Sequence, residues 1–547
     1  MPGGRAATLR HMAGVSPIAE RTGDPALAAF HPAVRTWFAT VFAEPTRAQR
    51  GGWPEIAADQ HTLIIAPTGS GKTLAAFLWG LNRLIVDRLA GRETGRVLYV
   101  SPLKALNHDV ERNLRLPLAG IAQAGERLGM SIPRLSVAVR TGDTPAAERR
   151  RMLRTPPDVL ITTPESLYLL LTSRAREALA TTRAVIVDEI HAVLADKRGT
   201  HLALSLERLE HLVGARDGRL QRIGLSATVR PARTAARFLG GHEPDGRPRP
   251  VRIVDAADRP RVDLTVEFAP VSRAEAAGRA DAPSGPNTAP DGTRWATLDP
   301  RLLELIGAHR STLVFVNNRR QAERLALRLN ELAGRPVALA HHGSLAHARR
   351  AEIEALLKAG ELPALVATSS LELGIDVGAI DLVVQIGSPR GVARGLQRVG
   401  RAGHRHDAVS RGWIFPLHRA DLAECAPVVA RMRAGEIERI HMPSRALDVL
   451  AQQLVALCAE GPWSVDDLHR LVRGAAPYVD LSRERLEAVL HLLTGGFSGG
   501  RFGDPRPRLV WDRDAQIVRA REGAWRVAVQ NPGTIPDRGL YAVVRTD

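Results

Sequence analysis

The octet APTGSGKT at positions 66–73 indicates a phosphate-binding loop, although Ala66 stands where the usual pattern has glycine. It follows the apolar stretch 63–66 and precedes a helical pattern that begins at Leu74. Backbone N–H groups around the glycines and at the helix N-terminus would converge on one phosphate. Lys72 is predicted to bridge the β- and γ-phosphates of ATP, and Thr73 to ligate Mg²⁺. The predicted loop contacts are Thr68, Gly69, Ser70, Gly71, Lys72 and Thr73.

Two carboxylates follow a second apolar stretch, 184–187, at the end of a predicted strand. In open α/β sheets this is where ligands bind. We expect Asp188 to hold Mg²⁺ through water, and Glu189 to orient and deprotonate the attacking water. An acidic pair alone is only moderately specific, but on the same sheet as the phosphate loop it predicts ATP hydrolysis.

Gln49 precedes the phosphate loop by one predicted helix. Its amide can both donate and accept hydrogen bonds, as reading the adenine edge requires. Phe30 or Phe42 could stack on the base, and the sequence leaves that choice open.

A second cationic cluster, QRVGRAGHR at 397–405, surrounds two glycines with arginines. It follows a strand of a second α/β segment. Phosphoryl transfer gains most from a cation that arrives only when the site is closed. Arginines on a separate lobe therefore predict a switch that ATP closes and hydrolysis opens.

The 547-residue chain has a net charge of +17 and a sequence pI of about 11.0. An Arg-favouring proteome could explain this charge, but a phosphodiester backbone is the partner that Arg forks match best. Only four of the basic residues are lysines, so these are candidates for sites where a compact ammonium is required: Lys72, Lys104, Lys197 and Lys358. Two isolated cysteines, the lack of an apolar leader and the lack of a membrane-length apolar run favour a cytoplasmic, nucleoid-associated protein.

Short apolar strands alternate with helical stretches in two segments, which predicts two tandem RecA-like parallel-sheet domains of α/β class. The predicted strands are 63–66, 97–101, 137–140, 159–162, 184–187 and 222–226 in the first, and 312–316, 337–340, 364–367 and 382–385 in the second. Three helices (446–459, 465–473, 483–493) and a strand pair (508–512, 515–520) then predict a winged-helix domain, with a plain helical cap as the alternative.

The predicted boundaries follow from these patterns. Residues 1–258 form the first RecA-like domain, and 259–437 the second, with a disordered insertion at 272–296 rich in Ala, Gly, Pro and Asp. Residues 438–500 form the winged-helix domain, and 501–547 its wing and the start of a further β domain. A strand-like stretch at 540–545 ends the chain, so we expect a fragment of a longer polypeptide.

Taken in order, the motifs from 45 to 405 resemble those of the superfamily 2 helicases. They comprise PTRAQ, APTGSGKT, SPLKA, RTGD, TTPES, DEIH, SAT, LVFVN, HHGS, ATSSLELGID and QRVGRAGHR. Several longer stretches are similar in sequence to the Lhr (large helicase-related) family: SPLKAL, TTPESL, DEIHAVLADKRG, HHGSL and SSLELGIDVG. The helical stretch RALDVLAQQLVALCAE before the winged helix is similar to that family as well. Lhr proteins continue into further C-terminal domains, which agrees with a fragment.

The resemblance implies 3′→5′ translocation on single-stranded DNA, unwinding of DNA or RNA–DNA duplexes, and a link to DNA repair. It implies that His191 and Gln397 couple the lobes, and that Ser226 and Thr228 couple hydrolysis to movement. Contacts to the nucleotide from the second lobe are implied for Gly374, Asp376, Arg398 and Arg401. The last Arg of the family pattern is His404 here, with Arg405 one place later. The resemblance therefore leaves open which arginine acts as the arginine finger, the cation that reaches the γ-phosphate, and we favour Arg401.

A single strand is expected to lie across both lobes, held by its phosphates. Aromatic residues are 4% of the chain, so base stacking cannot be the main contact. Loop residues at strand ends supply the predicted contacts. These are Lys104, Arg140, Thr141, Gly142, Thr163 and Pro164 in the first lobe, and Asn317, Arg319, His342, Gly343, Ser344 and Thr368 in the second.

Two other functions fit parts of the pattern. One is an RNA helicase that separates strands locally, against which stand DEIH in place of DEAD, the KRG element at 197–199 and the winged helix. The other is an ATP-gated nucleic-acid clamp that binds without unwinding. The sequence does not identify a protein partner.

Overall fold

The structure is a computed structural model that describes residues 23–67, 69–102, 104–216, 218–257, 261–268, 291–372, 380–402, 409–496 and 506–535, without the side chains of 104–109, 112, 291–294, 347 and 370. The chain divides into two compact units. The first unit draws on residues 1–66, 70–256 and 440–547, and the second on 67–69 and 257–439.

The first unit is built on a parallel sheet of seven strands in the order β3-β4-β2-β5-β6-β1-β7. Runs such as VLIT and AVIV are buried along almost their whole length, as expected for strands covered by helices on both faces. The strands are β1 His61–Ile65, β2 Arg96–Val100, β3 Val137–Arg140, β4 Val159–Thr162, β5 Thr182–Val187, β6 Gln221–Ser226 and β7 Val251–Asp255.

Helices connect these strands, and several begin at side-chain caps that the sequence encodes. Thr46, Thr163 and Asp196 each accept a backbone N–H in the first turn of the helix that follows. The helices are α1 Pro32–Val41, α2 Arg47–Ala57, α3 Lys72–Leu89, α4 Lys104–Arg127, α5 Ala146–Arg154, α6 Pro164–Leu171, α7 Arg176–Leu179, α8 Ile190–Val193, α9 Lys197–Gly214 and α10 Ala232–Gly240.

The second unit holds a parallel sheet of six strands in the order β10-β11-β9-β12-β13-β8. Its strands are β8 Val262–Val266, β9 Thr312–Phe315, β10 Ala338–His341, β11 Ala364–Ala367, β12 Leu382–Ile386 and β13 Ser410–Phe415. Its helices are α11 Asp291–Gly307, α12 Arg319–Ala333, α13 His347–Ala359, α14 Val392–Val399 and α15 Arg419–Ala434. Buried Leu, Ile and Val side chains from α11, α12 and the strands form its core.

The predicted disordered insertion reached residue 296, but α11 begins at Asp291. Leu298 and Leu302 of this helix are buried in the core of the second unit, so apolar residues at helical spacing stabilise a helix that starts before residue 296. Residues 272–290 lie outside the described part of the chain.

The C-terminal segment has the helices and strand pairing of a winged helix. It comprises α16 Leu447–Glu460, β14 Trp463–Ser464, α17 Val465–Gly474, α18 Arg483–Leu493, β15 Leu509–Asp512, β16 Ile517–Ala520 and α19 Ala524–Gln530. It packs against α9 of the same unit: Arg208 donates to Gln453 at 2.8 Å and pairs with Glu460. The predicted stretch 540–545 lies outside the described residues.

No helix of the described ranges is both long and apolar enough to cross a membrane.

Candidate nucleotide and nucleic-acid site

The phosphate loop has the backbone that its glycines predict. Gly69 and Gly71 have φ angles of 81° and 75°, in the left-handed region that favours glycine. Gly71 is the N-cap of α3 and carries no side chain that could occupy the first N–H groups of the helix. Lys72, in the first turn, is 5% exposed. An anion could therefore meet the helix N-terminus and a sheltered ammonium together. Thr68 lies outside the described residues.

Gln49 lies beside this loop, and its amide already has partners within the unit. Its Oε1 accepts the N–H of Thr46 at 2.9 Å, and its Nε2 donates to the Gly71 carbonyl at 3.4 Å. The side chain thus fixes the start of α2 against the phosphate loop. Phe30 is buried in edge-to-face contact with Trp53 and Trp79, so Phe42, 36% exposed, remains as the stacking candidate.

The acidic pair lies at the carboxyl end of β5, as predicted, and both residues are 3% exposed. Tyr99 donates its hydroxyl to Asp188, and the Glu189 N–H donates to Asp188 Oδ1 at 2.7 Å. Burial, and next the neighbouring Glu189, raise the pKa of Asp188 to about 6, while Lys72 acts in the opposite direction. Glu189 has a φ of 49°, so a left-handed turn begins α8 at this carboxylate. The sequence did not single out Tyr99, because an aromatic residue in a strand looks like core.

A Mg²⁺ ion fits this site by the chemistry of its donors. Thr73, partly exposed in the first turn of α3, and the buried carboxylate of Asp188 would supply oxygen ligands. Burial and the neighbouring Glu189 raise the pKa of Asp188, and a cation bound beside it would lower that pKa. Among the described residues no cluster of three His, Cys, Asp or Glu could hold a metal. Mg²⁺ uses one or two carboxylates and completes its shell with water and phosphate oxygens.

His191 connects the acidic segment with the SAT segment after β6. Its Nδ1 accepts the Ala227 N–H at 3.2 Å and lies 3.3 Å from Ser226 Oγ. Burial lowers the pKa of His191, so the ring is neutral and the 3.5 Å approach of Glu189 Oε2 is not an ion pair. The structure therefore joins two of the motifs that the sequence assigned to coupling.

In the second unit, Arg398 is engaged by its own domain. The guanidinium is 3% exposed, with Nε donating to Glu372 Oε1 at 2.7 Å and Nη1 to Gln385 Oε1 at 2.5 Å. It also lies over the Phe315 ring, 5.1 Å from the centroid. Arg401 Nη2 donates to the Glu372 carbonyl at 2.7 Å. Glu372 and Gln385, which the sequence did not single out, thus fix both arginines, while Gln397 is partly exposed on α14. Gly374, Asp376 and Arg405 lie outside the described residues.

The first unit brings its predicted strand contacts to one edge, because β3, β4 and β2 are neighbours in the sheet. Arg140 Nη1 donates to the Thr141 carbonyl at 2.7 Å, and Arg149 Nη2 to the Gly142 carbonyl at 2.7 Å. Burial and Arg149 lower the pKa of Arg140 to about 10, so two cations that repel each other flank this loop. A phosphate would relieve that repulsion.

The other two loops of this edge are less open. Thr163 and Pro164 are buried, and the Thr163 hydroxyl caps α6 by accepting the Ser166 N–H at 3.3 Å. The side chain of Lys104 is not described. Arg198, which the sequence noted only within the KRG element, contacts both loops: it pairs with Glu165 and donates to the Pro102 carbonyl at 2.6 Å.

In the second unit the predicted contacts follow β9, β10 and β11, three neighbouring strands. Arg319 Nη1 donates to Ser344 Oγ at 3.2 Å, so two of the loops meet. Arg319, Gly343 and Ser344 are exposed, and Thr368 is half-buried. His342 and Asn317 are instead held inside the domain. His342 lies 3.0 Å from Glu323 Oε1, and Asn317 donates to the Ser388 carbonyl at 3.1 Å.

Three family models match the chain in the order of these units. Residues 46–236 match the DEAD/DEAH box helicase model, and 298–406 the helicase conserved C-terminal domain. Residues 430–546 match the winged helix domain of large helicase-related proteins.

Relatives that align with nearly the whole chain agree with these models. A protein of Mycolicibacterium smegmatis described as Lhr helicase and probable uracil glycosylase is 48% identical over 95% of this chain, which spans 35% of that relative. The ATP-dependent helicase Lhr-Core protein 2 of Thermococcus barophilus is 42% identical over 94% of this chain, which spans 58% of it. The chain thus has about a third of the length of the first relative and somewhat over half that of the second.

A solved structure shows the same architecture. The structure of Mycobacterium smegmatis helicase Lhr bound to ssDNA and AMP-PNP superposes with a TM-score of 0.83 and 50% identity. The match covers 95% of this chain and 64% of that one.

Proposed function

Because the chain belongs to the Lhr family of superfamily 2 helicases, we propose that it is an ATP-driven motor that moves 3′→5′ along single-stranded DNA. Its task would be to unwind DNA or RNA–DNA duplexes in DNA repair. One observation carries the proposal: the ammonium of Lys72 lies within electrostatic reach of Asp188 and His191 at the edge of one parallel sheet. The related structure with bound ssDNA and AMP-PNP supports the choice of ligands.

In the proposed reaction, Lys72 and the N-terminus of α3 hold the transferred phosphate. Glu189 accepts a proton from the attacking water, whose position its buried carboxylate fixes. Thr73 and Asp188 would hold Mg²⁺, which neutralises charge on the phosphates when it is bound. Gln49, which fixes the phosphate loop from behind, would turn its amide toward adenine when the nucleotide enters.

The coupling between ATP and movement would run through the neutral imidazole of His191. Its Nδ1 is engaged with Ser226 and Ala227, and its buried Nε2 has no hydrogen-bond partner in the described part of the chain. A buried N–H of this kind favours any state that supplies an acceptor. We assign that acceptor to Gln397, and the finger that reaches the γ-phosphate to Arg401.

The strand itself would be held by its phosphates. Exposed Arg319, Gly343 and Ser344 in the second unit offer a cation, a backbone N–H and a hydroxyl, and Arg140 offers a cation in the first. Such contacts do not depend on base sequence, and they weaken steeply as salt rises.

Steady-state ATP hydrolysis by the purified chain tests the motor. It should be measured without nucleic acid and with single-stranded DNA, duplex DNA and single-stranded RNA, alongside Glu189→Gln and the exposed control Glu177→Gln. We expect single-stranded DNA to stimulate most, and only Glu189→Gln to abolish turnover. Strand displacement on 3′-tailed and 5′-tailed duplexes then tests polarity, with activity expected only on the 3′ tail.

Each other result points elsewhere. Stronger stimulation by RNA would replace the DNA substrate with RNA and keep the motor. ATP-dependent binding of DNA without displacement from either tail would identify a clamp. Hydrolysis that persists in Glu189→Gln would remove the assigned base.

A further inference from the structure

Arg198, at the start of α9, joins two loops that the sequence had separated by many residues. Its guanidinium makes a two-pronged pair with Glu165, in which Nη2 donates to Oε2 at 3.0 Å and Nε donates to Oε1. The same Nη2 donates to the Pro102 carbonyl at 2.6 Å. One planar cation therefore connects the loop after β2 with the first turn of α6, after β4.

Both connected loops belong to the predicted strand-binding edge. Pro102 lies two residues before Lys104, and Glu165 follows Thr163 and Pro164 directly. Burial alone would raise the pKa of Glu165, but its hydrogen bonds and attraction to Arg198 lower it overall. The pair is thus formed between a full cation and a full anion, and it favours one spacing of the two loops.

The backbone that carries Arg198 is itself fixed. Asp196 caps α9 by accepting the Gly199 N–H at 3.1 Å. A Cβ at Gly199 would lie 2.2 Å from the Val193 carbonyl oxygen, so α8 and α9 approach closely at this turn. The neighbouring Lys197 donates to Asp448 of the winged helix at 3.0 Å. Arg198 is therefore held on a rigid base from which it can set the position of the loops.

We infer that Arg198 is a positioning residue, which holds the loops after β2 and β4 at the spacing that a single strand requires. This inference rests on the proposed function. Arg198 is assigned no phosphate contact, because its Nε and Nη2 already donate to Glu165 and to the Pro102 carbonyl. An ammonium cannot hold both partners in this geometry, so lysine is not equivalent here.

The test compares the unaltered chain with Arg198→Ala, Arg198→Lys, Glu165→Ala and the double variant Arg198→Ala/Glu165→Ala. Arg216→Ala, an exposed arginine just beyond the end of α9, removes the same charge and serves as the matched control. The half-saturating concentration of an oligo(dT) strand in the ATP hydrolysis assay is measured at several salt concentrations, with the maximal rate. Thermal midpoints show that each variant is folded.

For Arg198→Ala we expect the half-saturating strand concentration to rise on the order of tenfold, with a much smaller change in maximal rate. The slope of log affinity against log salt should stay that of the wild type, because no phosphate contact is lost. Arg198→Lys should show a smaller rise and fold normally. Glu165→Ala and the double variant should match Arg198→Ala, since all three remove one shared interaction.

A slope reduced by about 1 would show that Arg198 binds phosphate directly and would overturn the inference. So would an unchanged half-saturating concentration, or additive losses in the double variant. If the wild-type chain neither binds the strand nor is stimulated by it, the proposed function fails first. Failure of the inference alone appears as a wild type that responds to DNA and an Arg198→Ala variant that responds equally.

Discussion

The two units hold their functional charges in opposite ways. In the first, Asp188 accepts a tyrosine hydroxyl and a backbone N–H, and burial and Glu189 raise its pKa to about 6 although Lys72 acts in the opposite direction. In the second, Arg398 is paired with Glu372 and bonded to Gln385, deep in its own domain. A further cation beside Asp188 would therefore stabilise the buried carboxylate of the first unit. In the second unit the buried guanidinium of Arg398 is already paired with a carboxylate of its own domain.

This difference separates ligand binding from positioning. A buried carboxylate with a raised pKa gains most when a cation arrives, which is the behaviour of a binding site. A buried arginine with a carboxylate and an amide gains little from a further anion, because its hydrogen bonds are already made. Glu372 receives Arg398 on its carboxylate and Arg401 on its carbonyl, so it fixes both arginines of α14 and the turn after it.

The largest expected effect comes from breaking the neutralised pair. Glu372→Gln leaves Arg398 buried without its anion, which should cost about 3–5 kcal/mol in the stability of the second unit. The loss of stability would be measured by urea denaturation, with unfolding of the second unit monitored through hydrogen exchange of peptides from β9 and β12. Glu304→Gln, which removes a carboxylate 66% exposed in the same unit, should cost less than about 1 kcal/mol. Equal losses in the two variants would mean that the buried pair does not differ from a surface pair.

The next effect concerns the ammonium of the first unit. Lys72→Arg keeps the charge but places a wide guanidinium at a position where the lysine is only 5% exposed. The cation would then no longer meet the ATP phosphates in the position that the ammonium takes. We expect kcat/KM for ATP to fall by about 10²–10³. The matched replacement Lys358→Arg, at an exposed position near the end of α13, should leave hydrolysis unchanged. Full activity of Lys72→Arg would contradict the compact-ammonium interpretation.

A smaller effect is expected at the two glycines that flank α3. Gly71→Ala and Gly91→Ala both force an L-residue to a positive φ, 75° and 65°, which should each cost about 1–2 kcal/mol. Only at Gly71 would the new Cβ lie 2.7 Å from Gln49 Nε2, while Gly91 has open space. Fluorescent nucleotide binding should therefore weaken in Gly71→Ala alone. Equal affinities would show that the Gln49 contact does not shape the loop.

The last expected effect is a pH dependence of stability. In the folded chain burial raises the pKa of Asp188 to about 6, while in the unfolded chain the carboxyl ionises near its ordinary pKa of 3.8. Between those values the folded state binds more protons, so the stability of the wild type relative to Asp188→Asn should fall as pH rises from about 4 to about 6. Urea midpoints of both proteins across that range would measure it. A difference that stays constant would show that the carboxylate is ionised throughout.

The sequence predicted strands well wherever local pattern and burial agree. β3, β4 and β11 have the bounds expected from their apolar runs, and most other predicted strands differ by one or two residues. β7 and β13 were missed because VRIVD and SRGWIF carry charged or polar residues that interrupt the pattern. In β7 the charged side chains can reach solvent because this strand lies at the edge of its sheet, next to β1 alone.

The sequence by itself determined which candidate reactive groups the chain carries and their order. Lys72, Asp188 and Glu189 could be predicted because glycine spacing and strand-end carboxylates are local patterns that backbone geometry imposes. Only the tertiary structure decided which partners those groups have. Tyr99 beside Asp188, Glu372 beside Arg398 and Pro102 beside Arg198 are contacts between distant parts of the chain. Hydrogen bonding and burial in the folded core select such partners, and neither leaves a local spacing in the sequence.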